Sequence, residues 1–399
     1  MPELVPFPVD RADITGYYEA LAAALDGSGP ALAPYEAGTP EPEFDAAALA
    51  AAPDDLALVV ATSGSTGTPK RAMLTRGALV ASATATHDRI GAGTWLLPLP
   101  PHHIAGTQVI VRSIVSGTTP TVLDDWSLEG FTKATGLVAR NAPPFSPIHT
   151  SLVPTQLRDL LDGDDETHTR ALAAARRYRS ILVGGSATPR ALLERAREAG
   201  LSVVTTYGSS ETSGGCVYDG TPLDGVGVRV IDPDDDGVGR IALTGPTLAA
   251  GYLGDPERSG ATFVDEAGQR HFLTDDLGSF DGTLAITGRI DDVITTGGYK
   301  VSPRVVEEAV QRVPGVRDAV VVARPHERWG QTVAVAIVTD AAVDATEELS
   351  ERLLIECRRL LPPYAVPRLV RYEEALPLTG VGKPDRAFVA RHDQWQNLR

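Results

Sequence analysis

The sequence predicts an α/β protein. A large N-terminal domain of mostly parallel, helix-covered sheets carries a β-rich subdomain and is followed by a small, mobile α+β domain. Three observations lead there. From Leu56 to about Thr206 short apolar runs alternate with helix-length amphipathic stretches, the pattern of a parallel sheet covered on both faces. From Gly225 to about Thr287 the helices give way to closely spaced turn pairs, Asp236-Gly237, Gly245-Pro246 and Asp281-Gly282. After Arg289–Asp292 a fresh helix start appears, Ser302-Pro303, an N-cap followed by proline at the first helical position.

The elements follow in order. Residues 1–53 read as a Pro/Ala-rich lead-in with one helix at Thr15–Leu25. Leu56–Ala61 reads as a buried strand, and a helix begins near Thr75, a credible N-cap. Strands are expected at Trp95–Leu99, Thr121–Leu123, His149–Val153, Ser180–Val183 and Ser202–Thr206. Helices are expected at Ile104–Val115, Leu128–Arg140, Thr155–Leu161 and Pro189–Ala199. In the small domain the helix from Ser302 ends at Pro314-Gly315. Strands Val316–Ala323 and Val333–Val338, the helix Leu349–Leu361 and the strand Leu369–Tyr372 follow. The domains divide as 1–290 and 291–399.

Composition excludes several classes. The chain has 399 residues, 43% of them apolar, enough for a full core, and a formal charge of −16. That charge argues against a nucleic-acid partner, which needs basic patches, and against a polybasic membrane anchor. Cys216 and Cys357 lie far apart, which leaves neither a disulfide framework nor a cysteine zinc site. Acids and prolines occupy Met1–Asp10 where a signal peptide would be apolar, and no apolar run is long enough to span a membrane. A cytoplasmic protein is expected; its oligomeric state stays open, a homo-oligomer included.

The strongest chemical signal is TSGSTGTPK, Thr62–Lys70, directly after the first buried strand. Gly64 and Gly67 let the backbone approach an anion closely. Thr62, Ser63, Ser65, Thr66 and Thr68 add hydroxyl donors, and Lys70 adds positive charge. This is a phosphate-cradling loop, yet not a Walker A motif, because Pro69 stands where the second glycine should be.

With four later strings, this loop resembles the adenylate-forming superfamily of acyl-CoA synthetases, peptide-synthetase adenylation domains and firefly luciferase. The strings are Tyr207-Gly208-Ser209-Ser210-Glu211-Thr212, Thr274-Asp275-Asp276-Leu277-Gly278, Gly288–Ile294 running on to Gly297-Gly298-Tyr299-Lys300-Val301, and Pro377-Leu378-Thr379 with Gly382-Lys383. They come in the family's order; Asp275 replaces its usual glycine. The resemblance implies ATP, Mg²⁺ and coenzyme A, an acyl-adenylate, and then a thioester. It places Glu211 on Mg²⁺, Asp276 on the ribose hydroxyls with Arg289 assisting, and Gly184, Gly185, Ser186, Tyr207, Gly208 and Ser210 around adenine and acyl group. It makes Lys383 the catalytic lysine, puts His103 beside the acyl pocket, and aligns Asp291 with a hinge that brings Gly297-Gly298-Tyr299 to the CoA site. His102 stands where relatives often carry an aromatic gate.

Two features narrow the acid. Ser151-Leu152-Val153-Pro154-Thr155-Gln156-Leu157 resembles the superfamily's menaquinone-pathway branch, and Arg112 lies where that branch carries an arginine thought to read a second carboxylate. A diacid in an apolar pocket needs such a partner for the carboxylate that does not react. Another aryl acid, with CoA or a carrier protein as acceptor, remains the alternative. A non-catalytic adenylate-binding protein is the rival from a different class, which retention of Glu211, Asp276, Arg289 and Lys383 opposes.

Overall fold

The computed structural model describes residues 2–62, 70–340, 347–378 and 384–398. Four sheets organise them. The one that positions the site has seven strands, in the order Thr221–Pro222, Gly214–Tyr218, Val203–Ser209, Ser180–Val183, Ile148–Leu152, Thr94–Leu97 and Thr121–Val122. The last five run parallel and the first two antiparallel. Its central strands Thr94–Leu97, Ile148–Leu152 and Ser180–Val183 are buried along their whole length. This explains their continuous apolar runs, since helices cover both faces of a parallel sheet.

A second sheet joins Leu4–Val9, Ala31–Glu36, Leu56–Thr62, Lys70–Thr75 and Gly251–Tyr252 in that order. Here the lead-in departs from expectation: residues 4–9 and 31–36 are parallel strands completing the sheet. Pro6, Pro8 and Pro34 disguise them, because proline gives no ladder donor and weakens a strand signal. Lys70–Thr75 is likewise a strand, antiparallel to Leu56–Thr62, so the segments flanking residues 63–69 pair with each other. Thr75 then caps the helix Arg76–Ile90, its hydroxyl accepting from the Ala78 amide at 3.1 Å.

The third sheet is antiparallel, Gly227–Ile231, Gly239–Thr244, Gln269–Phe280 and Phe263–Glu266, with Leu284–Arg289 added to the long strand. The fourth comprises only residues from Ile294 onward, around a core of its own that includes Val306, Val310, Val321, Val335, Leu353 and Cys357. Ser302 precedes the helix Pro303–Val310 as expected, but its side chain does not cap it. Its hydroxyl donates instead to the Thr287 carbonyl at 2.5 Å, which ties this helix to the strand Leu284–Arg289. The helix Glu166–Ala175 was not expected; its alanines give little hydrophobic contrast. Among the described residues no helix is long and apolar enough to cross a membrane.

Candidate active site

The expected site residues gather at the carboxyl ends of the parallel strands, where ligands bind in such sheets. His103 follows Thr94–Leu97, Ser151 lies in Ile148–Leu152, Gly184–Ser186 follow Ser180–Val183, and Tyr207-Gly208 end Val203–Ser209. Close packing fixes two of the glycines. A Cβ at Gly208 would lie 2.2 Å from the Gly214 carbonyl oxygen, and one at Gly184 would lie 2.3 Å from Thr206 Oγ1.

At one end Glu211 and Ser210 occupy a single 3-10 turn, Ser210–Thr212, after the strand that bears Tyr207. Glu211 is buried and accepts the Tyr252 hydroxyl at 2.8 Å. Burial, and next the Glu211 charge, raise the Tyr252 pKa, so the phenol stays protonated and donates. The pairing of Gly251–Tyr252 with Lys70–Thr75 brings Lys70 into this group, its Nζ 5.7 Å from the Tyr252 ring centroid. A carboxylate beside a lysine at the foot of the phosphate loop fits Mg²⁺, which takes one or two carboxylates and completes its shell with phosphates and water. Among the described residues no larger cluster of His, Cys, Asp or Glu forms a metal cage.

Asp276 and Arg289 face each other across neighbouring strands. Tyr207 donates to Asp276 Oδ2 at 2.7 Å, and Arg289 Nη1 lies 3.6 Å from Oδ1. Burial, then Asp276, raise the Tyr207 pKa well above its usual value, which keeps it a donor. Arg289 also grips Asp291 with two bonds of 2.9 and 3.0 Å, joining the position expected to meet the ribose to the one expected to act as hinge. The unusual Asp275 is balanced by two arginines, Arg240 at 3.5 Å and Arg289 at 3.6 Å. Arg240 also donates to the Thr274 carbonyl at 2.6 Å.

The other end is built on the helix Ile104–Val115, whose N-cap is His103. The His102 and His103 rings lie 4.3 Å apart. Burial, then the neighbouring His103, bring the His102 pKa down to about 4, and burial lowers His103 too. Arg112 is only 4% exposed. Its guanidinium carbon lies 5.1 Å from the Trp95 ring centroid and its Nη2 3.4 Å from the Tyr218 hydroxyl. Among the described residues it has no carboxylate in ion-pair range, and its Nε is unpaired. Trp95 Nε1 and both side-chain polar atoms of Gln108 are buried without hydrogen-bond partners among the described residues. The His149 ring is tilted against Trp95, centroids 5.0 Å apart, and its pKa falls to about 4 through burial first, then His87, Arg179 and Arg112.

Beyond Asp291, Gly297 turns with φ +58°, and its amide donates to the Trp329 carbonyl at 3.0 Å. The Tyr299 ring is stacked on Tyr364, centroids 4.3 Å apart. Arg368 lies 3.8 Å over the Trp329 ring, and His326 stacks on that indole at 4.1 Å. Gly298 follows Gly297 in the same turn, φ +88°. One ion pair, Arg158 to Asp318 at 2.8 Å, links the helix Pro154–Asp159 to the fourth sheet. Ser63, Gly64, Ser65, Thr66, Gly67, Thr68 and Lys383 lie outside the described residues; Thr62 ends its strand just before them. Tyr252, Gln108, Trp95 and Trp329 pack in or beside this candidate site and were not expected from the sequence. Each is one side chain in a strand, a helix or, for Trp329, a turn, with no motif around it, and only the packing of distant elements reveals it.

Comparison with known proteins agrees with this geometry. The family described as "AMP-binding enzyme" matches residues 16–253, and "AMP-binding enzyme C-terminal domain" matches 305–383. A Mycobacterium tuberculosis protein described as "Probable 2-succinylbenzoate--CoA ligase" is 44% identical over 344 residues, 85% of each chain. The 2-succinylbenzoate–CoA ligase of Lactococcus lactis is 30% identical, over 83% of this chain and 70% of its own. Among solved structures, o-succinylbenzoate CoA synthetase from Bacillus subtilis, in complex with its acyl-adenylate intermediate, has a TM-score of 0.70 at 26% identity. That match covers 86% of this chain and 70% of the other. The chain belongs to the AMP-binding enzyme family and stands within it beside the 2-succinylbenzoate–CoA ligases.

Proposed function

We propose that this enzyme is an ATP-dependent acid–CoA ligase that converts 2-succinylbenzoate to its CoA thioester, a step of menaquinone biosynthesis. The observation that carries the choice of acid is Arg112, a buried cation without an acidic partner among the described residues. A charge in that position is costly until an anion pairs with it. The ring carboxylate of 2-succinylbenzoate supplies one, while the succinyl carboxylate reacts. The 44% identical relative supports the same reading.

In the first step the succinyl carboxylate attacks the α-phosphorus of ATP, and pyrophosphate leaves with the electrons of the broken P–O bond. The chain's part is positioning and charge stabilisation. Residues 62–70 cradle the β- and γ-phosphates. Glu211, held by Tyr252, would hold Mg²⁺, which neutralises charge on the phosphates. Asp276, held by Tyr207, accepts the ribose hydroxyls, Arg289 supports it, and Gly185, Ser186 and Ser210 border the adenine and phosphate. Lys383 bridges the substrate carboxylate and the α-phosphate. Neutral His103 closes the acyl pocket, which Ser151, Gly184 and Gly208 border.

In the second step the CoA thiolate attacks the acyl carbonyl and AMP leaves. We place the division between large and small domains at residues 290 and 291, with Asp291 as pivot. Rotation there carries Lys383 away and brings Gly297-Gly298-Tyr299 to the site. Arg368, packed over the Trp329 ring, offers an exposed cation suited to the phosphates of CoA. The test is incubation with ATP, Mg²⁺, CoA and 2-succinylbenzoate, with detection of the thioester by mass. Pyrophosphate release with simple benzoates and none with 2-succinylbenzoate would refute the choice of acid and leave the ligase chemistry standing.

A further inference from the structure

The helix Ile104–Val115 presents a second polar side chain on the face that bears Arg112. Gln108 precedes Arg112 by one turn, so the two share a face. Gln108 is 1% exposed, yet neither its amide nitrogen nor its amide oxygen meets a partner among the described residues. Buried side-chain amides are nearly always hydrogen-bonded, so this one points to a molecule not yet in place. Its location says which part of that molecule. Gln108 packs at the start of the strand Gly214–Tyr218, where a Cβ at Gly214 would lie 3.2 Å from Gln108 Cγ, just past the turn that carries Glu211. Arg112 reaches the other end of the same strand, at Tyr218. Gln108 therefore stands between the reacting end of the site and the buried cation.

We infer that Gln108 is a specificity-determining residue whose amide N–H donates to a neutral carbonyl oxygen of the acid, lying between its reacting carboxylate and its second carboxylate. The inference rests on the substrate reading above. 2-Succinylbenzoate has such an oxygen, the aryl ketone that joins its chain to its ring. A neutral amide suits a neutral acceptor, and the formal charge is left to Arg112. A site built to hydrogen-bond a substrate oxygen also rejects an analogue that lacks it, because the amide is then left unpaired in the complex.

The test compares the parent with Gln108→Met, similar in length but without donors, on two acids. One is 2-succinylbenzoate and the other is its analogue with a methylene in place of the ketone. Pyrophosphate release gives kcat/KM, and thermal denaturation with ATP titration checks that fold and nucleotide site are intact. The parent should prefer the ketone by about tenfold. Gln108→Met should lose about tenfold on the ketone acid and less than about twofold on the methylene analogue. Equal loss on both acids would make Gln108 structural and overturn the inference. No loss on either would mean that water alone satisfies the amide, and would overturn it too. If the parent uses both acids equally while Arg112→Ala abolishes both, the diacid reading stands and only the ketone subsite falls. If the parent accepts neither diacid, the substrate reading fails first and takes the subsite with it.

Discussion

At the end of the site that we assign to the nucleotide, Glu211 receives the Tyr252 hydroxyl, Asp276 receives that of Tyr207, and Arg289 is bound by Asp291. At the end that we assign to the acid, Arg112 meets a tyrosine and an indole face, and Gln108 and the Trp95 N–H meet nothing among the described residues. The first set is organised by the protein's own contacts; the second is left for the ligand to complete. This division suits a ligase that must always bind ATP but must choose one acid. Binding ATP then needs little reorganisation at the nucleotide end, while at the acyl end a wrong acid leaves buried donors unpaired, a penalty that works as selectivity.

The division predicts that substitutions at the two ends fail differently. Asp276→Asn removes the carboxylate that we assign to the ribose hydroxyls. It should raise the KM for ATP by about 10- to 100-fold, the range for bonds to a charged group, and change the KM for the acid little. A rise confined to the acid would erase the distinction between the ends. Tyr252→Phe is smaller. It removes one donor from Glu211 and should slow adenylation by about tenfold or less while raising the Mg²⁺ concentration needed for half-maximal rate. An unchanged Mg²⁺ dependence would detach Glu211 from the metal.

The smallest effect concerns pH. His149 is held near a pKa of about 4 by burial, against an ordinary value of 6.5. Its folded-state pKa is below the unfolded one, so between those values the unfolded chain binds more protons and stability falls as pH falls. Melting temperature should therefore drop from pH 6.5 towards 4, and His149→Phe should flatten part of that slope. An identical slope in the variant would show that other groups cause it.

Legibility in the sequence followed the same boundary. Ser180–Val183 and Ile104–Val115 were readable to the residue, because a buried run and an amphipathic stretch are each encoded locally. Glu211, Asp276 and Arg289 were singled out by short strings, and the fold brings Asp276 and Arg289 together and buries Glu211. The strands at 4–9 and 31–36 were not legible, since prolines hide them and their partners lie far along the chain. Nor could sequence tell that Arg112 is buried and lacks a carboxylate, or that Gln108 is unpaired. Those facts arise from packing one helix against two strands.

The most direct test of the account is the crossed response of Arg112. Parent and Arg112→Ala are assayed by pyrophosphate release with 2-succinylbenzoate and with the analogue that lacks the ring carboxylate. For 2-succinylbenzoate, kcat/KM should fall by ~10² or more, the scale of a buried charge left unpaired, with a much smaller loss for the analogue, already poor with the parent. Losses in equal proportion on both acids would contradict it, and Arg112 would then be a structural arginine.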